Sequence, residues 1–119
     1  MAKFKREYKN WTDYRKLPDL MEMDFHWSKE ISSGNYYENM ELVYRTTLKC
    51  LKMAQDNNKQ YLLLTHGWST SRRGNTTARS QIRTLMRSKE ATPFIIRKDC
   101  IQHDSVFLAA IRPKKLQQV

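Results

Sequence analysis

Three side chains that could move a proton, Asp24, His26 and His66, stand near the ends of two predicted strands. Asp24 precedes His26 by two residues, so on a strand both side chains project from the same face. A carboxylate in that position can orient an imidazole and favour its charged form. Because imidazole titrates near neutral pH, two histidines can divide the roles of general acid and general base. The alternative is that Asp24 caps a local turn and that His26 is a partly buried polar residue.

Segment 66–75 (HGWSTSRRGN) has the composition of a phosphate-binding loop. Gly67 lets the backbone turn sharply or approach a ligand closely. Arg72 and Arg73 carry planar guanidinium groups that suit the geometry of a phosphate. The hydroxyl donors of the loop are Ser69, Thr70 and Ser71. A helix predicted to begin at position 76 or 77 adds backbone N–H groups and a positive dipole end.

The glycine spacing of this loop argues against one common class of phosphate site. Gly67 and Gly74 are too far apart for a Walker A motif, and Asn75 stands where that motif needs lysine. The sequence therefore argues against a nucleotide triphosphatase.

The helix predicted after the loop carries Arg79, Arg83 and Arg87, which recur every four residues and line one face. Like charges stacked in this way destabilise an isolated helix by roughly 0.2–0.5 kcal/mol per pair. An anionic partner offsets that cost. The alternative is a solvated face, but such a face is usually mixed in sign. The pattern favours contact with the backbone of a nucleic acid.

The charge balance of the whole chain agrees with an anionic partner. The 119 residues include 22 Lys+Arg against 12 Asp+Glu, a net charge of +10. A small domain this basic most often binds nucleic acid, although acidic proteins and lipid headgroups also use basic surfaces. No apolar run approaches the ~20 residues of a membrane-spanning helix, and no apolar signal region follows the N-terminus. We expect a cytoplasmic protein with no membrane partner; its protein partners stay open.

Cys50 and Cys100 lie far apart and match no metal or redox spacing, so we expect two reduced thiols. Asp24, His26 and His66 could ligate a divalent cation, but three scattered ligands do not indicate one. The sequence therefore predicts no metal and no other cofactor.

Patterning divides the chain into an N-terminal extension over residues 1–19, an α/β domain over 20–113 and a polar tail over 114–119. In the basic extension, aromatic residues recur at helical spacing, which predicts a short amphipathic helix closed at Leu17-Pro18. These aromatic residues are Phe4, Tyr8, Trp11 and Tyr14. We expect them to dock on the domain rather than to stack on bases.

Hydrophobic periodicity predicts the order strand–helix–strand–helix–strand–strand, a two-layer α/β sandwich with a mixed sheet. The predicted strands are 20–26, 61–64, 94–96 and 106–111, and segment 98–104 is a turn. The apolar positions of the two predicted helices run from 36 to 54 and from 78 to 86. A helix crossover makes the first two strands parallel, and the short turn makes the last two antiparallel. His26 and His66 then lie at one carboxyl edge, where ligands bind in open α/β sheets.

Two short motifs resemble the signatures of Smr (small MutS-related) domains. Met23-Asp24-Phe25-His26 is similar to the family's leucine–aspartate–leucine–histidine motif, and Thr65-His66-Gly67-Trp68-Ser69 is similar to its histidine–glycine–any–glycine motif. The similarity spans roughly residues 20–112. It implies an α/β sandwich that binds branched or structured DNA or RNA, and several members of the family cut nucleic acid endonucleolytically. It also implies that Asp24, His26 and His66 belong to the working site and that Gly67 shapes the loop.

Two positions depart from these signatures. Trp27 stands where the first motif continues with glycine, and Ser69 replaces the last glycine of the second. Trp27 at the rim of the site could change which nucleic acid fits, or stack on a base. It could also mark a domain that has lost cleavage and kept binding. The residues expected to contact nucleic acid are Trp27, Gly67, Trp68, Ser69, Arg72, Arg73, Arg79, Arg83 and Arg87.

Three functions remain as hypotheses. The first is an Smr-like endonuclease that acts on structured RNA or branched DNA through histidine acid–base chemistry, with the 2′-hydroxyl as nucleophile if the substrate is RNA. The second is a nucleic-acid-binding module without catalysis, in which the same site clamps phosphate. The third is an interaction domain whose basic helix and aromatic N-terminus meet an acidic protein.

Overall fold

A five-stranded mixed sheet carries the predicted site. The structure, a computed structural model, describes residues 4–7, 10–25, 36–66 and 78–114. Its strands are β1 (Lys5–Arg6), β2 (Leu20–Asp24), β3 (Tyr61–Thr65), β4 (Ile101–Gln102) and β5 (Val106–Ala110), and its helices are α1 (Tyr36–Asp56) and α2 (Ala78–Arg87), with 3₁₀ helices at Trp11–Lys16 and Arg97–Asp99. The sheet order is β1-β4-β5-β3-β2, with β5 antiparallel to both of its neighbours and the other pairs parallel. The predicted two-layer α/β sandwich is therefore confirmed.

Strand β3 lies in the interior of the sheet, between β5 and β2, and is buried on both faces, as its continuous apolar run predicts. Leu62 and Leu64 belong to the larger hydrophobic cluster, which also holds the core residues of both helices. Leu63 points to the other face, where it packs with Tyr14 of the first 3₁₀ helix. We call these two faces the helix face and the 3₁₀ face.

The two long helices form where the periodicity predicts them. Helix α1 buries Val43, Leu51 and Ala54 against the sheet. It ends at Asp56, and Asn58 then adopts a left-handed φ of 56°, a conformation that asparagine tolerates better than most residues. Helix α2 is described from Ala78. It buries three apolar residues at helical spacing, Ile82, Leu85 and Met86. None of the helices in the described ranges is long and apolar enough to cross a bilayer.

The third predicted strand is wrong in position. Segment 94–96 contributes only an isolated bridge between Ile95 and Ile111, whereas the fourth strand, β4, lies inside segment 98–104, for which a turn is predicted. The short turn at 103–105 is the reason: it pairs β5 with the residues immediately before the turn. Ile95 is still fully buried, so its apolar character reflects packing in the core rather than strand pairing.

The helix predicted near the N-terminus is present only over Trp11–Lys16, as a 3₁₀ helix that ends at the predicted Leu17. Lys5 and Arg6 form an edge strand parallel to β4, and a 3₁₀ helix at 11–16 follows. Asn10 caps this helix, because its Oδ1 accepts a hydrogen bond from the Thr12 N–H at 3.2 Å. Phe4 packs edge-to-face on Phe107 with ring centroids 5.0 Å apart. Docking of the aromatic residues is confirmed for Phe4 and Tyr14, which are both buried; Tyr8 lies outside the described residues.

Candidate nucleic-acid interface

The predicted site residues divide into two groups. Those that lie outside the described residues are His26, Trp27, Gly67, Trp68, Ser69, Arg72 and Arg73. Those that the structure places are Asp24, His66, Arg79, Arg83 and Arg87. The second group defines the geometry of the site that follows.

The carboxyl ends of β2 and β3 meet at one edge of the sheet, as expected for parallel neighbours. Asp24 is in register with Thr65, and the Phe25 N–H donates to the Thr65 carbonyl at 2.8 Å. The His66 N–H in turn donates to the Ser105 carbonyl at 3.2 Å. The ends of β2 and β3 and the turn before β5 are therefore adjacent, and we call this the carboxyl edge.

Asp24 and His66 share this edge but not a face of the sheet. Because Asp24 is in register with Thr65, their side chains share the 3₁₀ face, and strand alternation places His66 on the helix face. The surroundings of Asp24 agree with this assignment, since the pKa of Arg15 on the 3₁₀ helix is raised by its hydrogen bond to Glu22 and also by Asp24. His66 is only 4% exposed. Orientation of His26 by Asp24 concerns a residue outside the described ranges.

Arg79, Arg83 and Arg87 line one face of α2, and this face meets the sheet at β4. The Arg83 Nη2 donates to the His103 carbonyl at 3.2 Å, and the Arg87 Nη2 donates to Gln102 Oε1 at 3.2 Å. The Arg87 guanidinium also lies over the Phe4 ring, 5.8 Å from its centroid. Two of the arginines therefore hold the helix against the sheet while they present positive charge at its surface, and this face of α2 is not simply solvated.

Arg83 lies at the centre of a cluster of one sign of charge. Its pKa is lowered by burial first and by the neighbouring guanidinium groups of Arg79, Arg87 and Arg6, while Asp104 acts in the opposite direction. The group stays protonated at neutral pH, so the charged guanidinium is both partly buried and close to charges of its own sign. We call Arg6, Arg79, Arg83 and Arg87 the arginine cluster. An anion placed there relieves the repulsion.

Arg6 is the member of this cluster that sequence reasoning missed. It lies on a two-residue strand, and its neighbour in the sheet, Gln102, is near the other end of the chain. No spacing rule connects the two positions. The only available signal was the basic character of the N-terminal segment, which did not say which residue faces α2.

The described residues offer little other reactive chemistry. In the described ranges, no group of three or more histidine, cysteine, aspartate or glutamate side chains could hold a metal ion. Cys50 and Cys100 are both free and buried. Burial raises the pKa of the Cys50 thiol and raises that of Cys100 to about 11, which makes both poor nucleophiles.

The sheet and its carboxyl edge define the class of the molecule: a two-layer α/β sandwich with a cluster of arginines where α2 meets β4 and β1. Comparison with protein-family models, with curated proteins and with solved structures found no match.

Proposed function

We propose that this domain binds nucleic acid and holds its phosphate backbone along the arginine cluster. The observation that carries the proposal is the convergence of Arg79, Arg83 and Arg87 from α2 with Arg6 from β1, all of one sign, beside the carboxyl edge. Helix α2 contains no acidic residue that could neutralise them internally. Arginine suits this role because its planar fork donates two hydrogen bonds to a phosphate.

The spacing of the arginines suits a nucleic-acid strand. Residues four apart on a helix are separated by about 6 Å along its axis, which is of the order of the distance between neighbouring phosphates. A row of this kind positions the backbone and carries no information on base sequence. We therefore expect binding to DNA and RNA of many sequences, with discrimination by shape rather than by bases.

The resemblance to Smr domains supports the same proposal. The described parts of its two motifs, Met23 to Phe25 and Thr65 to His66, lie at the carboxyl ends of β2 and β3, where Asp24 is in register with Thr65 across a parallel pair. The two-layer sandwich is the fold that the resemblance implies. We infer an Smr-like domain whose ligand is structured RNA or branched DNA.

Endonuclease activity is the second candidate, and the observation that favours it is the position of His66 at the carboxyl edge, joined to the turn before β5. Its 4% exposure favours binding as the primary function, since a general base must come within hydrogen-bonding distance of the reacting atoms. End-labelled structured RNA and branched DNA, incubated in magnesium and in EDTA, test the second candidate. Cleavage by wild type that is lost in a His66→Ala variant with intact binding supports it, and intact substrate in every lane rules it out under those conditions.

Fluorescence anisotropy with a labelled RNA hairpin and a labelled DNA junction tests the main proposal. The α2 triple variant Arg79→Gln, Arg83→Gln and Arg87→Gln should bind at least tenfold more weakly than wild type, because it loses several charge-assisted hydrogen bonds. Its matched control carries Gln on the exposed side of α1 and removes the same charge. The control positions are Arg45, Lys49 and Lys52.

The comparison needs one further variant, because Arg83 and Arg87 also contact the sheet. Arg79→Gln alone leaves those contacts in place and should still weaken binding by severalfold, with an unchanged circular dichroism spectrum. Equal loss in the α2 triple and the α1 control would show that only net charge matters. That result would overturn the assignment of the interface to α2.

A further inference from the structure

A small recess lies between β1, α2 and the turn that precedes β5. Its volume is about 80 Å³, and it is lined by Arg6, Arg83, Gln102 and Asp104. A water molecule needs roughly 10–15 Å³ on this measure, so the recess has room for about five to eight waters. A phosphate group, with one phosphorus and four oxygens, is of similar size.

The lining of the recess presents hydrogen-bond donors from three elements, β1, α2 and β4. Arg6 makes no ion pair with any residue in the described ranges, and the buried Arg83 Nε has no hydrogen-bond partner there. Gln102 is only 6% exposed and its Oε1 accepts from Arg87, so its amide NH₂ is the end that can donate elsewhere. Two guanidinium groups and an amide donor form a suitable set for an anion.

Asp104 is the only acidic group in the lining. It forms no salt bridge of 4 Å or less with a described residue, yet its charge favours the protonated form of Arg83. Its carboxylate therefore lies close enough to the arginines to offset part of their repulsion while the recess holds no other anion. It also repels an incoming phosphate.

We propose that this recess seats one phosphate group of the bound nucleic acid, with Arg6 and Arg83 as its cationic walls, Gln102 as a donor and Asp104 as an intrinsic competitor. The inference rests on the proposed function and adds to it a specific contact from β1. The N-terminal strand is then part of the interface as well as of the sheet.

Strand β1 supplies a matched control for this proposal. Lys5 and Arg6 are neighbours with the same charge, but Lys5 is in register with Ile101 on the 3₁₀ face and Arg6 with Gln102 on the helix face. Lys5 lines a groove on the 3₁₀ face, whose lining also includes Tyr14, Leu17, Asp99 and Ile101. In the full chain, Arg6→Gln should weaken nucleic-acid binding roughly tenfold and reduce the magnitude of the salt slope by about one. Lys5→Gln, which removes the same charge, should change the affinity by less than twofold.

Asp104 gives a prediction of opposite sign. Asp104→Asn removes the competitor and should strengthen binding severalfold, whereas Asp99→Asn, a matched change in the groove on the 3₁₀ face, should not. Equal effects of the two asparagine variants, or of the two β1 variants, would contradict the proposal that the recess binds a phosphate group, which we call the phosphate seat. They would leave the proposed function standing if wild type binds nucleic acid.

Inorganic phosphate separates the two proposals directly. Titrated into ¹⁵N-labelled full-length protein, it should shift the Gln102 side-chain amide and the Arg83 Nε–H resonances in wild type and not in Arg6→Gln. If these resonances respond but nucleic acid does not bind, the recess is an anion site and the proposed function fails. If nucleic acid binds but the resonances do not respond to phosphate or to nucleic acid, the phosphate seat fails and the proposed function stands.

Discussion

Cys100 shows at the scale of one residue how burial sets chemistry in this protein. The side chain is fully buried; its Sγ–H donates to the Ile96 carbonyl at 3.4 Å and its sulfur accepts from the Ala110 N–H at 3.4 Å. Burial raises the pKa of this thiol to about 11 from its ordinary value of 9.0. The folded state therefore favours the neutral thiol, and the unfolded chain ionises at lower pH.

This pKa predicts a loss of stability between pH 9 and pH 11. The contribution of Cys100 is fully present below pH 9 and disappears as the pH rises through the folded-state pKa, by at most about 3 kcal/mol for a shift of two units. Urea unfolding at a series of pH values checks this. Cys100→Ala should be less stable at pH 8 but should lose less stability above pH 9; parallel pH profiles for the variant and wild type would contradict the shift.

The positions of residues along the strands were predictable from the sequence, but the face of the sheet to which each side chain points was not. Parallel pairing placed Asp24 and His66 at one edge in advance. Their faces depend on the register between Asp24 and Thr65, which a single sequence does not contain. Arg83 was found by its spacing on α2, whereas its burial and its contact with His103 became visible only in the packed structure.

At the scale of elements, Arg97 fixes the C-terminal end of α2. Its Nε donates to the Met86 carbonyl at 3.1 Å, its Nη2 to the Ser88 carbonyl at 2.6 Å and its Nη1 to Thr92 Oγ1 at 2.9 Å. One planar fork thus satisfies the last turn of the helix and the turn after it.

Arg97→Lys should lower the free energy of unfolding by about 1–2 kcal/mol, because an ammonium group cannot reproduce three separately directed hydrogen bonds. Lys98→Ala, at the exposed neighbouring position, is the control and should cost less than about 0.5 kcal/mol. Urea denaturation of both variants measures the difference. If lysine at 97 preserves full stability, charge rather than geometry holds this end of the helix.

The edge strand β1 depends on Phe4, which packs on Phe107 beneath the Arg87 guanidinium. Phe4→Ala should destabilise the protein by about 3 kcal/mol, the lower end of the range for buried aromatic residues, because β1 has only two residues. It should also weaken nucleic-acid binding, since Arg6 is carried on the same strand. Chemical denaturation and anisotropy test the two effects, with Lys5→Ala as a neutral reference; tight binding by a destabilised Phe4→Ala variant would separate β1 from the interface.

The element predictions failed where aromatic or apolar residues serve two different surfaces. Phe4 packs on the helix face and Tyr14 on the 3₁₀ face, so their helical spacing is coincidental. Likewise, Ile95 is apolar because it packs in the core, whereas most residues next to β4 in the sequence are polar. The long helices and the central strands were predicted well because each buries one continuous apolar surface.

For the whole molecule, the net charge of +10 attracts any polyanion, and we expect the polyanion to bind at the arginine cluster. If the four guanidinium groups of the cluster each contact a phosphate, the logarithm of the affinity should fall with the logarithm of salt concentration with a slope of about −3 to −4. Anisotropy over a salt series measures it. A slope near zero would contradict contact between the arginine cluster and phosphates, and a much steeper slope would mean that the charge acts without a defined site.

The most direct test of the central claim is to map where nucleic acid touches the protein. In a ¹⁵N heteronuclear NMR titration with a short RNA hairpin, binding at the arginine cluster predicts shifts of the Arg79, Arg83 and Arg87 Nε–H resonances and of the backbone amides at 103–105. It predicts little change on the exposed side of α1 or in the groove on the 3₁₀ face. Shifts concentrated on α1 around residues 45–52, or no shifts at low salt, would contradict the assignment of nucleic-acid binding to the arginine cluster.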